Sequence, residues 1–427
     1  MKIKKLFFGA IILFMPNLMS FAESGRDYDC VVDGIFYQII SYSTGRFAYV
    51  VHGAGYSGDV VIPSSIDYNG RTYQVTDIRD WAFDGCRHLR SVYIPASIKN
   101  IDGNIFEGCD ELERIIIDPN NTIYDSRDNC NAVIKGDALL SGCKKTTIPS
   151  GVTKIGDNAF YGCIGLTSID LPDEIISIGW NAFEGCTNLR KVNLKEGLSS
   201  IGQRAFSDCT NLEEIKIPQS TKSIGDYAFE NCYNLERISI LGNISELNSK
   251  IFSGCNNITK AHFNCKIIQK EYSLPEFSAL EELSIGDSIL TIGKGTFEDY
   301  ENLKRVVLPK NLKGIGQNAF AGCINLSEIT FSDSLKWIGR YAFRNCRSLD
   351  SIYIPKSVEE ISNLSFYRCS GLQSIIVDKD NHFFDSRDNC NAIIKDSELV
   401  LGCNNSFHYC PRKSVNISLK RLSALRF

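Results

Sequence analysis

The chain has 427 residues, 43% of them hydrophobic and 22% charged, with a formal net charge of −4, 17 cysteines and 11 prolines. Those fractions are globular and exclude a disordered or collagen-like chain. The lack of any clustered basic excess argues against a nucleic-acid or anionic-membrane partner, and an odd cysteine count excludes a disulfide framework closed within one chain.

The first segment is a leader. Lys2, Lys4 and Lys5 form a positive region, Leu6 to Phe14 is apolar, and Ser20-Phe21-Ala22 has the small-x-small form of a cleavage site. Residues 1–22 therefore read as a secretory signal peptide cut after Ala22. The apolar stretch is short and interrupted by Pro16 and Asn17, which disfavours an uncleaved anchor, and the first cysteine, Cys30, is too distant to take a lipid there. No later stretch approaches ~20 apolar residues, so no transmembrane segment is expected in the mature chain.

Residues 23–75 show strand-like runs at 36–40, 47–51 and 60–63 and are expected to form a β-rich segment that caps the first coil of a repeat array. Gly53-Ala54-Gly55-Tyr56-Ser57-Gly58 matches G-x-G-x-x-G, but Asp59-Val60-Val61-Ile62-Pro63 after it is a strand ended by proline. A dinucleotide loop needs a helix N-terminus facing the pyrophosphate. No cofactor is expected.

From residue 76 the chain repeats. Phe83 and Phe106 lie 23 residues apart, and the spacing continues through Phe160, Phe183, Phe206, Phe229 and Phe252, then Phe297, Phe320, Phe343 and Phe366. In the unit at 178–194 the frame is Ile178, Ala182-Phe183, Cys186, Leu189, Val192 and Leu194. Val192 and Leu194 alternate with Asn193, as a short strand requires. The Ala-Phe-x-x-Cys piece is too short for a stable helix and reads as a helical turn. Each unit carries apolar groups that it cannot bury alone, so units must stack as coils. Residues 76–403 are expected to be one array, with interspersed units at 118–149 and 378–403. Both contain Asp-Ser-Arg-Asp-Asn-Cys-Asn-Ala, at 125–132 and again at 385–392. Phe277 holds a degenerate copy in the long gap before Phe297. Residues 404–427 lose phase and read as the truncated or frame-shifted end of a longer array.

This pattern resembles the BspA-like class of leucine-rich repeat. The resemblance implies a repeat solenoid: a right-handed coil with a parallel β-sheet on one face and turns or short helical segments on the other. It further implies a secreted or cell-surface interaction protein, adhesin-like in binding host matrix or plasma proteins or other cells. The alternatives are an envelope carbohydrate- or nutrient-binding protein and a non-catalytic envelope scaffold.

Candidate chemistry is sparse. Cys86, Cys109, Cys163, Cys186, Cys209, Cys232, Cys255, Cys323, Cys346 and Cys369 share one repeat position, which Tyr300 takes once. They are expected to stack as a buried ladder of small hydrophobes, and a line of ligands does not surround a metal ion. Local Cys130–Cys143 and Cys390–Cys403 bridges stay open, as does calcium at the Asp125–Asn131 and Asp385–Asn391 loops, where a structural turn is the favoured reading. His52, His88, His262, His382 and His408 are scattered and no catalytic motif accompanies them, so no enzyme activity is expected.

The ligand surface is expected on the outward strand positions, eight and ten residues after each phenylalanine. The candidates are Tyr93, Lys191, Lys216, Arg237, His262, Arg305 and Tyr353, with Ser91 also outward and Lys191, Glu214 and Arg237 expected side by side. Opposite charges in such a row are worth about 0.2–1 kcal/mol per pair without any ligand.

Overall fold

The computed structural model describes residues 28–53, 55–242, 244, 250–265, 277–362, 364–386, 391–396 and 398–402. Residues 1–22, expected to be a leader, residues 404–427, Cys390, Cys403 and His408 lie outside these. The fold is a repeat solenoid whose coils each contribute short parallel strands on one face and turns on the other. It divides into two compact units, one of 1–189 with 204–209 and one of 190–203 with 210–427.

The first unit opens with antiparallel strands Cys30–Val32, Ile35–Tyr42 and Gly45–Val50. Gly45–Val50 then pairs in parallel with Arg71–Ile78, which pairs in parallel with Asn100–Ile101. The antiparallel start thus runs directly into the parallel ladder. A second ladder joins Gly58–Val61, Leu89–Ile94 and Arg114–Ile117. Gly58 begins a strand, so no helix succeeds the G-x-G-x-x-G match.

The interspersed unit is a β-hairpin. Ala132–Lys135 pairs antiparallel with Ala138–Gly142, with a bulge between Val133 and Ile134, and Ala138–Gly142 pairs onward in parallel with Lys154–Ile155. The second copy reproduces the hairpin at Ala392–Lys395 and Glu398–Gly402, with the same irregularity between Ile393 and Ile394. Asp125 and Asp385 bridge to Ile134 and Ile394.

In the second unit the long-strand ladder runs Glu214–Ile217, Arg237–Ile240, Lys260–Phe263, Glu282–Ile285, Arg305–Val307 and Glu328–Ile329. Alternation explains each strand: in Glu214–Ile217, Ile215 and Ile217 point inward while Glu214 and Lys216 stay exposed. A ladder of two-residue strands accompanies it, including Thr291–Ile292, Gly314–Ile315, Trp337–Ile338 and Glu360–Ile361.

Between the strands and the turns lies a column of stacked phenylalanines. Phe183 sits 5.0 Å from both Phe160 and Phe206, with rings within 6° of parallel. Phe320 sits 5.3 and 5.4 Å from Phe297 and Phe343 in the other unit. Phe277, the degenerate copy, meets Phe252 edge-on at 5.8 Å. Each buried ring contributes about 1.5–3 kcal/mol. The ring's backbone joins neighbouring coils: Phe183 N–H donates to the Ala205 carbonyl at 2.8 Å.

The cysteine ladder lines the same column. Cys109, Cys186, Cys209, Cys255, Cys323, Cys346 and Cys369 each donate Sγ–H to the phenylalanine carbonyl one coil back, at 2.9–3.2 Å. These thiols are free. The expected helical turn at Ala-Phe-x-x-Cys is a run of tight turns instead. The reason is the residue before each cysteine, held at positive φ: Gly185 at 74°, Asn231 at 57°, Asn345 at 63°. A left-handed residue ends any helix, and Gly and Asn adopt that geometry most readily. A further ladder uses asparagine: Nδ2 of Asn188, Asn257, Asn302 and Asn325 donates to carbonyls of the preceding coil, at 2.8–2.9 Å.

Candidate functional site

The outward strand face separates the proposed residues into groups. Lys216, Arg237, His262 and Arg305 share one ladder in the second unit. Lys191 lies exposed on its own strand, Lys191–Asn193. Tyr353 lies on the separate pair Ser351–Ile354 and Ser374–Val377, and Tyr93 belongs to the first unit.

Register sets the electrostatics of the ladder. Glu214, Arg237, Lys260, Glu282, Arg305 and Glu328 fall in one row. The two adjacent cations each pair with the acid on their outer side, Arg237 with Glu214 at 3.2 Å and Lys260 with Glu282 at 3.1 Å, and Arg305 pairs with Glu328 at 3.0 Å. The second row runs Lys216, Ser239, His262, Ser284 and Val307. His262 Nδ1 lies 3.0 Å from Ser284 Oγ. Partial burial, helped by the Lys216 charge, holds its pKa below the ordinary 6.5, so the ring is neutral at pH 7. Lys216 makes no ion pair among the described residues.

Both tyrosines are engaged. Tyr93 Oη donates to Asp118 Oδ2 at 2.6 Å, and Tyr353 Oη donates to Asp378 Oδ2 at 2.5 Å. The next strand places exposed Ile116 beside Tyr93 and exposed Ile376 beside Tyr353. Ser91, expected outward, is buried: register places it opposite Asp59, and its hydroxyl donates to Asp59 Oδ1 at 2.5 Å. The single-coil frame carries no signal for Asp59, Asp118 or Asp378, because each lies in another coil.

The duplicated loop satisfies itself. Arg127 Nε and Nη2 donate to the two Asp125 oxygens at 2.8 and 2.7 Å, and the Arg127 N–H adds a third bond. Burial works to raise the Asp125 carboxyl, and the Arg127 bonds outweigh it and hold it low. Both oxygens therefore serve the turn. In the second copy Arg387 to Cys390 lie outside the described residues. Cys130 and Cys143 are buried free thiols, with Sγ turned to the Ala132 and Asn131 carbonyls. No group of three or more His, Cys, Asp or Glu side chains fit to hold a metal occurs among the described residues, and no described helix is long and apolar enough to cross a membrane.

Comparison with known proteins bears on the array as a whole. The family described as BspA type leucine-rich repeat region matches in six copies over residues 64–132, 139–259 and 266–395. A search of curated proteins finds no match. Similar solved structures include a leucine-rich repeat protein from Bacteroides ovatus, 26% identical, covering 82% of this chain and 100% of its own, with a TM-score of 0.44. A leucine-rich cell surface protein from Faecalibacterium prausnitzii is 24% identical over 83% of this chain and 96% of its own, with a TM-score of 0.38. The pneumococcal vaccine antigen PcpA is 20% identical over 82% and 88%, with a TM-score of 0.34.

Proposed function

Because the chain belongs to the BspA-type leucine-rich repeat family, we propose that it is an exported, surface-displayed scaffold that binds extracellular proteins, adhesin-like toward a host matrix or another cell, without catalysis. The observation that carries this reading is the continuous exposed ladder of the second unit, whose outward rows hold Lys216, Arg237, His262 and Arg305. Exposed ion pairs such as Glu214–Arg237 contribute little to stability, about 0–1 kcal/mol each. They exchange partners at small cost, while the unpaired Lys216 and the neutral His262 between them offer donors to an incoming chain. Many weak contacts along repeated coils suit an extended protein ligand.

The test is binding of purified residues 23–427 to arrays of matrix proteins, plasma proteins and glycans, against a variant carrying Lys216→Ala, Arg237→Ala, His262→Ala and Arg305→Ala. Protein binding lost in the variant supports the reading. Binding that survives the variant removes the face assignment, and binding to glycans alone removes the protein ligand.

A further inference from the structure

In the turns that follow the short strands Trp337–Ile338 and Glu360–Ile361 of the second unit, two consecutive coils bring arginines and tyrosines together. The Tyr341 and Tyr367 ring centroids are 6.2 Å apart at 60°. Arg340 Cζ lies 4.8 Å from the Tyr341 centroid, and its Nη2 donates to Tyr341 Oη at 3.3 Å. Arg344 Cζ lies 5.7 Å from the same ring, and Arg368 Cζ lies 5.3 Å from the Tyr367 ring.

Charge in this patch is less balanced than in the strand row from Glu214 to Glu328. The strand-face cations Arg237, Lys260 and Arg305 each meet an acid. Here Arg344 alone has one, Glu298 at 3.6 Å, while Arg340 and Arg368 are exposed and make no ion pair among the described residues. This local positive excess sits on a chain of net charge −4. Two buried polar atoms beside it, Arg344 Nε and Asn345 Oδ1, have no hydrogen-bond partner, and such groups call for an explanation. Arg368 also occupies the left-handed turn position, φ 62°, where the coils before it carry Asn345, Gly322 and Asp299. A long cation is held there despite its backbone cost.

We infer that Arg340, Tyr341, Arg344, Tyr367 and Arg368 form a binding patch for a sulfated polysaccharide. Guanidinium forks match the oxygens of a sulfate in bidentate fashion. The tyrosine rings hold the forks in place by cation–π contact, which lowers the ordering cost of binding. The phenol hydroxyls both donate and accept, so they can also bond the hydroxyl groups of a saccharide, which a polypeptide of carboxylates lacks. The patch stands apart from the strand-face reading, and either holds without the other.

The probe is a heparin-derived oligosaccharide titrated into the full chain, beside a polyglutamate peptide of equal charge. Binding is expected to the oligosaccharide, falling as salt rises, and to weaken roughly tenfold in Arg340→Ala/Arg368→Ala. These side chains are exposed, so the double variant is expected to melt with the parent, and Arg71→Ala, at an exposed arginine outside both proposed surfaces, serves as the unaffected control. Circular dichroism melts identify the folded variants, and Arg340→Lys/Arg368→Lys, which keeps the charge, is expected to recover only part of the binding. No binding by the parent, equal binding by the double alanine variant, equal loss in Arg71→Ala, or polyglutamate binding as tight as the oligosaccharide each overturns the assignment.

Discussion

Cys186 Sγ lies 3.0 Å from the carbonyl oxygen of Phe160, 26 residues earlier and one coil away. That carbonyl also accepts the Cys163 N–H at 3.0 Å, so the thiol fills its second lone pair. Cysteine is suited to the position because it is small, apolar and a weak donor at once. Cys186→Ala is expected to cost about 1–2 kcal/mol, from a small cavity plus an under-satisfied carbonyl. Cys186→Ser is expected to cost a similar amount, since the shorter C–O bond lengthens the contact with the carbonyl and a hydroxyl is costlier to bury than a thiol. Urea midpoints at unchanged slope measure both, and an alanine variant as stable as the parent would show that the thiol only fills space.

The same burial sets thiol chemistry. Burial pushes Cys86 up to about 11 and Cys163 up to about 12 from an ordinary 9.0, and raises Cys186 well above it. In the folded chain at pH 8 these thiols are expected to stay protonated and inert to a disulfide-exchange reagent, becoming reactive only on unfolding. Above pH 9 the unfolded chain gives up thiol protons that the native chain keeps. The native state then binds more protons, and stability falls as pH rises from about 9 through the folded values. Fast labelling of native Cys186, or an unfolding midpoint that does not drop between pH 8 and 10.5, contradicts this.

Tyr353 with Asp378 repeats Tyr93 with Asp118 one duplicated unit earlier. The Tyr353 hydroxyl bond is the first cause holding the Asp378 carboxyl below its ordinary 3.8, and Tyr353 itself is raised to about 12 by the same bond. Asp118 is lowered first by Tyr93 in the same way. Tyr353→Phe is expected to raise the Asp378 pKa and leave Asp118 unchanged, and Tyr93→Phe to do the reverse. Carboxyl carbon NMR titration of both variants reads this directly. An Asp378 titration unmoved by Tyr353→Phe shows that the hydroxyl is not what depresses it.

What the chain discloses in one dimension is whatever recurs in one repeat. The phase of Phe183 and Cys186 yields the coil, the inward column and the alternation of Glu214–Ile217 without coordinates. Relations that cross coils are less visible. Arg237 and Lys260 stand adjacent in register, which reads as repulsion until Glu214 and Glu282 are placed beside them. Ser91 keeps the outward phase, yet Asp59 from an earlier strand covers it. A signal present in the repeat but outside the apolar frame is the Gly, Asn or Asp before every ladder cysteine except Cys369, which marks a left-handed turn where a hydrophobic pattern suggests a helical one.

Two glycines within one repeat, Gly179 and Gly185, are required for different reasons, and substitution separates them. At Gly185, φ is 74° and an added Cβ meets only the Gly162 Cα and N, at 3.5 and 3.6 Å, an ordinary contact. Gly185→Ala is therefore expected to cost about 1–2 kcal/mol through backbone conformation alone. Gly185→Asn is expected to recover most of that, since Asn231 and Asn345 hold the same turn elsewhere at 57° and 63°. At Gly179 a Cβ falls 2.6 Å from the Asp157 nitrogen and from the Gly156 carbonyl carbon, both backbone atoms of the preceding coil. Relief there requires the coils to part, so Gly179→Ala is expected to cost about 3 kcal/mol, and Gly179→Asn to be worse still. Thermal and urea unfolding of the four variants rank them. If Asn rescues position 179 as well as it rescues 185, close approach between coils is not what demands glycine there.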